Sequence, residues 1–337
     1  MRKLLKAFGL AAGLTITMSV TAFAGQWRED AAGWWWQEDD GSYAVSSWQW
    51  LDGNQDGVAE CYYFDGNGYM AANTTVDGYQ VNGDGCWVVD GRVMTYQSGQ
   101  AARDTLQAVL AQSKGQTNMD VGLQMNMQMS AQGTTIDVGM MGDMKIQNAD
   151  SAQMQYIMDM NMNMLGMDIP VTAFYTDGYM YMDMYGQKIK MSMDYQEALE
   201  AAKSMQMSYG DDMSYIQDVS VVDNENGTRT IYYAMDGAQM TSMVQMSQNL
   251  MGTTGAAANT ASASIGLCKM EVTMDRAGTI LQQRVLMDMS VAVEGTPVDY
   301  TIFMEMNTKN PGQPVSFTLP STEGYEELIG GATGNLS

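Results

Sequence analysis

From residue 119 onward, polar and apolar positions alternate with a period of two, over runs longer than most strands. Met119, Val121, Leu123, Met125, Met127 and Met129 fall on one side, and Asp120, Gln124, Asn126, Gln128 and Ser130 on the other. Side chains on a strand point alternately to its two faces, so this pattern predicts a strand with one apolar face. The pattern repeats at Ile136, Val138, Met140, Met144 and Ile146, and at Met154, Tyr156, Met158, Met160, Met162 and Met164. Further strands are expected over 169–176, 179–185 and 188–193, with Asp177-Gly178 and Gly186-Gln187 as tight turns. A hairpin is expected over 219–235, turning at 224–227. Three long strands follow at 265–274, 279–293 and 298–309.

Three stretches show the helical period instead. Leu106, Val109 and Leu110 have i, i+3, i+4 spacing. Asp194-Tyr195-Gln196-Glu197 resembles a capping box before Ala198, Leu199, Ala202 and Met205. Met240, Met243, Val244, Leu250 and Met251 mark a third helix, and 252–264 is a small-residue loop. About ten antiparallel strands and about three helices predict an α+β domain over 105–322, with a C-terminal tail at 323–337. Pro311, Pro314 and Pro320 are expected to end regular structure.

The chain before residue 97 is built differently. All seven Trp lie there, among Asp-Gly turns. Aromatic clusters precede each turn: Trp34-Trp35-Trp36 before Asp40-Gly41, Tyr62-Tyr63-Phe64 before Asp65-Gly66, and Trp87-Val88-Val89 before Asp90-Gly91. Short β runs bounded by Asp-Gly are hairpins, and a lone hairpin cannot bury its own face, so such units stack into a solenoid over 25–96. Residues 97–104, with Ser98-Gly99-Gln100-Ala101-Ala102, are expected to be a linker.

The stretch Tyr62-Tyr63-Phe64-Asp65-Gly66-Asn67-Gly68-Tyr69-Met70, with the Gly33-Trp34 opening, resembles the cell-wall-binding repeat of Gram-positive surface proteins, related to choline-binding repeats. The strand order and Met-x-Met runs of the second region resemble the curved half-barrel of LolA and LppX-like lipoprotein carriers. They are most similar to an uncharacterised family of Met-rich, LolA-like extracellular domains. These resemblances imply wall attachment for the first region and an apolar ligand for the second.

The first 24 residues carry Arg2, Lys3 and Lys6, a short apolar run, and Ala22-Phe23-Ala24, which is the pattern of a cleaved signal peptide. The protein is therefore expected to be secreted, without a transmembrane segment or sorting tail, at the cell wall of a Gram-positive bacterium. Loss of those three cations takes the formal net charge from −23 to −26. That excess of acid excludes nucleic acid, whose phosphates require Lys and Arg.

The chain has no His, which excludes Ser-His-Asp and Cys-His catalysis. No carboxylate pair stands out in the sequence, so the expectation is a binding protein without catalytic residues or cofactor. A wall hydrolase or a ligand-free adhesin domain remains as the alternative.

Four candidate features follow. Trp34, Trp35, Trp36, Trp48, Trp50, Tyr62, Tyr63 and Trp87 could face a glycan or choline-type wall polymer, because aromatic rings attract quaternary ammonium groups and stack on sugars. The same residues could equally form the solenoid core. Cys61 and Cys86 share a repeat register, so either a disulfide joins them or both are buried thiols, with Cys268 a buried hydrophobe. Asp52-Gly53-Asn54-Gln55-Asp56-Gly57 imitates the start of a calcium loop. Tyr63 stands where the loop's closing Glu belongs, and a plain turn is favoured. Met125, Met127, Met158, Met160, Met162, Met180 and Met182 are the candidate face for a lipid or other apolar ligand. Thioethers are also soft ligands for Cu(I). A period-two Met row is what a core needs, however, and no metal site is assigned.

Overall fold

The computed structural model describes residues 25–113, 116–149, 151, 153–192, 213–238, 241, 262–293 and 296–327. The leader, the helices expected after Asp194 and around Met243, and the last ten residues lie outside them. The chain divides into two compact units, Met1–Tyr96 and Gln97–Ser337.

The first unit is made of short strands. β1 (Gln26–Asp30) and β2 (Gly33–Gln37) form a hairpin in which Trp27 faces Trp36. β3 (Ser47–Leu51) and β4 (Val58–Phe64) form a second, with Trp48 opposite Tyr63 and Trp50 opposite Cys61. β5 (Thr74–Val76), β6 (Tyr79–Val81), β7 (Trp87–Val89) and β8 (Arg92–Val93) make a four-stranded antiparallel sheet, and β9 (Thr95–Gln97) follows at the unit boundary. Trp36, Leu51 and Phe64 are its buried core, packed by Trp27, Tyr62 and Met70.

The second unit begins with α1 (Gly99–Ser113). The expected linker at 97–104 is therefore a correction. Only Ser98 separates β9 from the helix, and Ala102, within the supposed linker, is fully buried beside Leu106 and Val109. A small apolar residue one turn ahead of Leu106 belongs to the same stripe, and its small size is what disguised it. Among the described residues outside α1, Gly237, Ala238 and Thr241 are also helical.

Strands β10 (Met119–Ala131), β11 (Thr134–Gln147), β12 (Gln155–Met164), β13 (Met167–Thr176), β14 (Tyr179–Met184) and β15 (Gln187–Ser192) form one antiparallel meander. Four of its five turns are tight. Gln132-Gly133, Leu165-Gly166, Asp177-Gly178 and Tyr185-Gly186 all have positive φ at both residues, the conformation whose twist matches the flanking strands. A second meander holds β16 (Ile216–Asp223), β17 (Arg229–Met235), β18 (Ser262–Met274), β19 (Ile280–Val293) and β20 (Thr296–Thr308). The two join where β20 pairs with β10, and β21 (Glu326–Glu327) adds a short parallel pairing to β15. The result is one large open sheet, almost wholly antiparallel. The described part of the unit is mostly β with a large antiparallel sheet, as expected, and two of the about three expected helices fall largely outside the described residues.

The register carries one apolar face across the meanders. α1 covers part of it, packing Ala102, Leu106 and Val109 on Ile216, Val221, Ile231, Val272 and Ile280. The opposite face is mainly polar, with scattered apolar residues such as Met141, Leu286 and Phe303 and one aromatic cluster. There Phe174 stacks on Tyr181 at 4.7 Å between ring centroids, and Tyr325 stands edge-on to both. Residues 309–327 thus run over the outer face, held also by Lys309 N donating to Asp120 O and by the Gln147 side chain donating to Val315 O. The Pro-rich stretch ends the last long strand, as its prolines require, and then acts as a cover.

Candidate functional site

The two-residue period of β3 and β4 separates the aromatics of the first unit into two groups. Tyr62 and Phe64 point one way from β4, into the core against Trp27, with centroid distances of 4.8 and 6.0 Å. Tyr63 points the other way, onto Trp48 at 5.3 Å. Trp48 also meets Tyr79 of β6 and Trp87 of β7, at 5.9 and 6.5 Å, and Tyr79 meets Trp87 at 5.4 Å. The interplanar angles among these three rings are 82°, 61° and 81°, so Trp48, Tyr79 and Trp87 form the walls of a corner. Trp50 extends it, 6.1 Å from Trp87 and 6.3 Å from Tyr96. Every ring of this group is half-buried.

Ring faces carry partial negative charge. A corner of three faces suits a cation too diffuse to be held by hydrogen bonds, such as a quaternary ammonium, and flat partly open rings also suit sugar faces.

The eight sequence candidates therefore have different places. Trp48, Trp50, Tyr63 and Trp87 come together in the corner group. Trp36 is only 3% exposed and is core, not a wall contact, because β2 turns it inward opposite Trp27. Tyr62 packs beside that core. Trp35 leans on Tyr69, whose hydroxyl donates to Asp30 at 3.0 Å, while Trp34 is 43% exposed. Tyr79 and Tyr96 were missed. Tyr79 directly follows an Asp77-Gly78 turn, the signal used for the other hairpins, but without an aromatic cluster before it.

The disulfide is a further correction: Cys61, Cys86 and Cys268 are buried free thiols. The β-bridge sets Tyr62, not Cys61, opposite Cys86. One residue of offset on a strand turns a side chain to the other face, so equal places in the repeat are not equal places in space. The Tyr62 hydroxyl instead bonds with the Cys86 thiol and lies 3.5 Å from Glu60. Burial, with Cys86 nearby, pushes the Cys61 thiol up to about 12. Burial also raises Cys86, outweighing the bond from Tyr62.

The calcium-like loop is a self-bonded turn between β3 and β4. The Asp52 carboxylate accepts from Asp56 N and Gly57 N at 3.0 and 2.8 Å, and Asn54 donates to Asp56 at 2.9 Å.

In the second unit, the seven candidate methionines share the inner face. Met125 opposes Met140, Met140 opposes Met162, Ala173 opposes Met182 and Tyr175 opposes Met180, and all seven are half-buried. The outer face holds an open depression of about 620 Å³ lined by Gln124, Met141, Asp143, Asp159, Asn161 and Thr172. Asp143 and Asp159 are directly opposed across β11 and β12, a pairing not visible from sequence spacing. Both are tied to neighbours: Lys309 donates to Asp143, and Thr172 to Asp159 at 2.8 Å.

Residues 49–87 match the model of the choline-binding repeat, and over this stretch the chain carries that repeat. The choline-binding domain of Spr1274 from Streptococcus pneumoniae is 34% identical, over 19% of this chain and 71% of that one, with a TM-score of 0.17. LprF from Mycobacterium bovis is 12% identical, over 66% of this chain and 98% of that one, with a TM-score of 0.32. The modular Cpl-1 endolysin, solved with a peptidoglycan analogue, is 15% identical over 48% of this chain and 37% of that one, with a TM-score of 0.17. No curated protein matches the sequence. Among the described residues no helix is long and apolar enough to cross a membrane.

Proposed function

We propose that this is a secreted surface protein of a Gram-positive bacterium. It is held non-covalently to the wall by choline-type groups seated against Trp48, Tyr79 and Trp87. The observation that carries this reading is the three-ring corner, formed largely by residues of the choline-binding repeat. A trimethylammonium group keeps its charge at every pH and offers no N–H to donate. Ring faces recognise it where carboxylates alone would compete with solvent salt. No step of this reading requires catalysis.

The mature chain should bind a choline-bearing matrix and elute with free choline. Trp48→Ala and Trp87→Ala should each weaken retention by about five- to thirty-fold, the equivalent of about 1–2 kcal/mol of cation–π contact. Retention that is indifferent to free choline would refute the reading.

For the second unit we propose a carrier-like role, with a lipid or other apolar molecule on the Met-lined inner face of a LolA-like sheet. Half-buried flexible side chains along Met125, Met158, Met160 and Met182 support it, since Met adapts to ligands of varied shape. Titration with a lipophilic fluorophore should saturate. A monomeric protein with no saturable binding would remove this part and leave the wall reading intact.

A further inference from the structure

Strand register brings together what alternation along a single strand does not. Met304 of β20 is directly opposite Met125 of β10, Met125 opposite Met140 of β11, and Met140 opposite Met162 of β12. Four thioethers therefore stand side by side on four neighbouring strands. Directly opposed residues of an antiparallel ladder have Cα atoms about 4.5–5.5 Å apart, and three side-chain torsions let adjacent sulfurs turn toward one point. All four residues are half-buried. The flanking rows on the same face are apolar too, with Met127, Met160, Met164 and Met306 the nearest further sulfurs. The carboxylates of these strands, Asp120, Asp137, Asp143, Asp159, Asp299 and Glu305, lie on the other face.

Ordering a Met side chain costs about 1 kcal/mol more conformational entropy than ordering Leu or Ile, which fill a sheet core as well. We propose that the row Met304, Met125, Met140 and Met162 binds a soft monovalent metal ion, Cu(I), held by Met125 and Met140 at its centre together with one of the two outer sulfurs. A thioether is neutral, so it coordinates without losing a proton, and it selects Cu(I) over ions that need oxygen. Ca²⁺ and Mg²⁺ find no oxygen side chains in this row and are excluded by chemistry. Among the described residues of β10, β11, β12 and β20 the one cation, Lys145, lies on the other face.

The test uses the mature chain with Cys61, Cys86 and Cys268 changed to Ala, because thiols would capture the metal themselves. Cu(I), generated with ascorbate under anaerobic conditions, is competed against bathocuproine disulfonate. Ag(I) serves as a redox-inert second probe. The expected result is about one Cu(I) withheld per chain, with a sulfur-only ligand shell by X-ray absorption. Changing Met125, Met140, Met162 and Met304 together to Leu should weaken binding at least ten-fold. Leu nearly conserves the volume of Met, so the fold should survive, and circular dichroism checks it. Should the quadruple variant misfold, the pair Met125→Leu and Met140→Leu stands in for it, with the same ten-fold loss expected. Leu at Met127, Met160, Met164 and Met306 should change affinity less than three-fold. The proposal is overturned by no retention in the Cys-free chain, by an oxygen-containing shell, or by equal losses from the row and the flanking set.

Discussion

Arg284 on β19 sits between two carboxylates on the sheet's polar face. Its Nε donates to Glu305 at 2.8 Å and its Nη1 to Glu271 at 3.1 Å. Glu271 is only 5% exposed, and burial holds its carboxyl above the ordinary range despite the guanidinium. Burial would raise Glu305 as well, but the bonds from Asn307 and Arg284 outweigh it and lower that carboxyl. Replacing Arg284 with Met keeps much of the stem and removes the charge, leaving Glu271 buried against a like charge. Breaking one side of a buried ion group costs about 3–5 kcal/mol. With a urea dependence of about 2–3 kcal/mol per molar for a unit this size, the midpoint should fall by about 1–2 M.

The pH dependence has a definite sign. With its cation gone, Glu271 titrates still higher in the folded state, so the folded form binds its proton more tightly than the unfolded form. The penalty is full above that raised value and shrinks as pH falls through it. Glu305, lowered in the parent, contributes stability above its unfolded pKa of about 4.3 and loses it as pH falls, so its share of the difference also fades in acid. Far-UV circular dichroism follows the sheet, while Trp emission reports the first unit, since all seven Trp precede residue 88. A loss under about 1 kcal/mol at pH 7, or one equal at pH 7 and pH 4, would show that the charges are solvated and the pairing incidental. Adding Glu271→Gln to Arg284→Met should restore part of the loss, and no recovery would argue against an uncompensated carboxylate.

The remaining predictions are independent of that cluster. Under native, non-reducing conditions the mature chain should have an intact mass with three thiols, and alkylation at pH 8 should be slow at Cys61 and fast at all three in urea; a Cys61–Cys86 cross-link in peptide mapping would contradict the strand offset. Phe174→Ala should cost about 3–5 kcal/mol of sheet stability, because a fully buried ring loses its stacking partner and its cover, and a loss within 1 kcal/mol would mean that residues 309–327 do not seal the outer face. Trp36→Ala should destabilise the first unit, read by melting, and reduce wall retention only as that unit unfolds, whereas Trp87→Ala should reduce retention with little change in melting.

Much of this architecture is local and was therefore legible. A period of two dictates which side chains share a face, so the Met strands could be placed from residue order alone. Asp-Gly and related turns dictated hairpin connectivity, because few residues other than Gly sit comfortably at positive φ. The aromatic clusters and their Asp-Gly punctuation likewise announced the repeat that residues 49–87 match.

What the chain order could not settle were matters of register and cover. A one-residue offset across the β4 bridge separates Cys61 from Cys86, and no property of either residue encodes that offset. Tyr79 and Trp87 reach Trp48 only because β6 and β7 fold back beside it. Phe174 and Tyr181 break the polar alternation for a cause more than a hundred residues downstream, the return of Tyr325. The row of four methionines exists only through β20 pairing with β10 across the two meanders. Side-chain direction is a property of each strand and is written in local sequence. Which strands lie side by side, and in what register, is a sum over distant contacts that only the folded sheet decides.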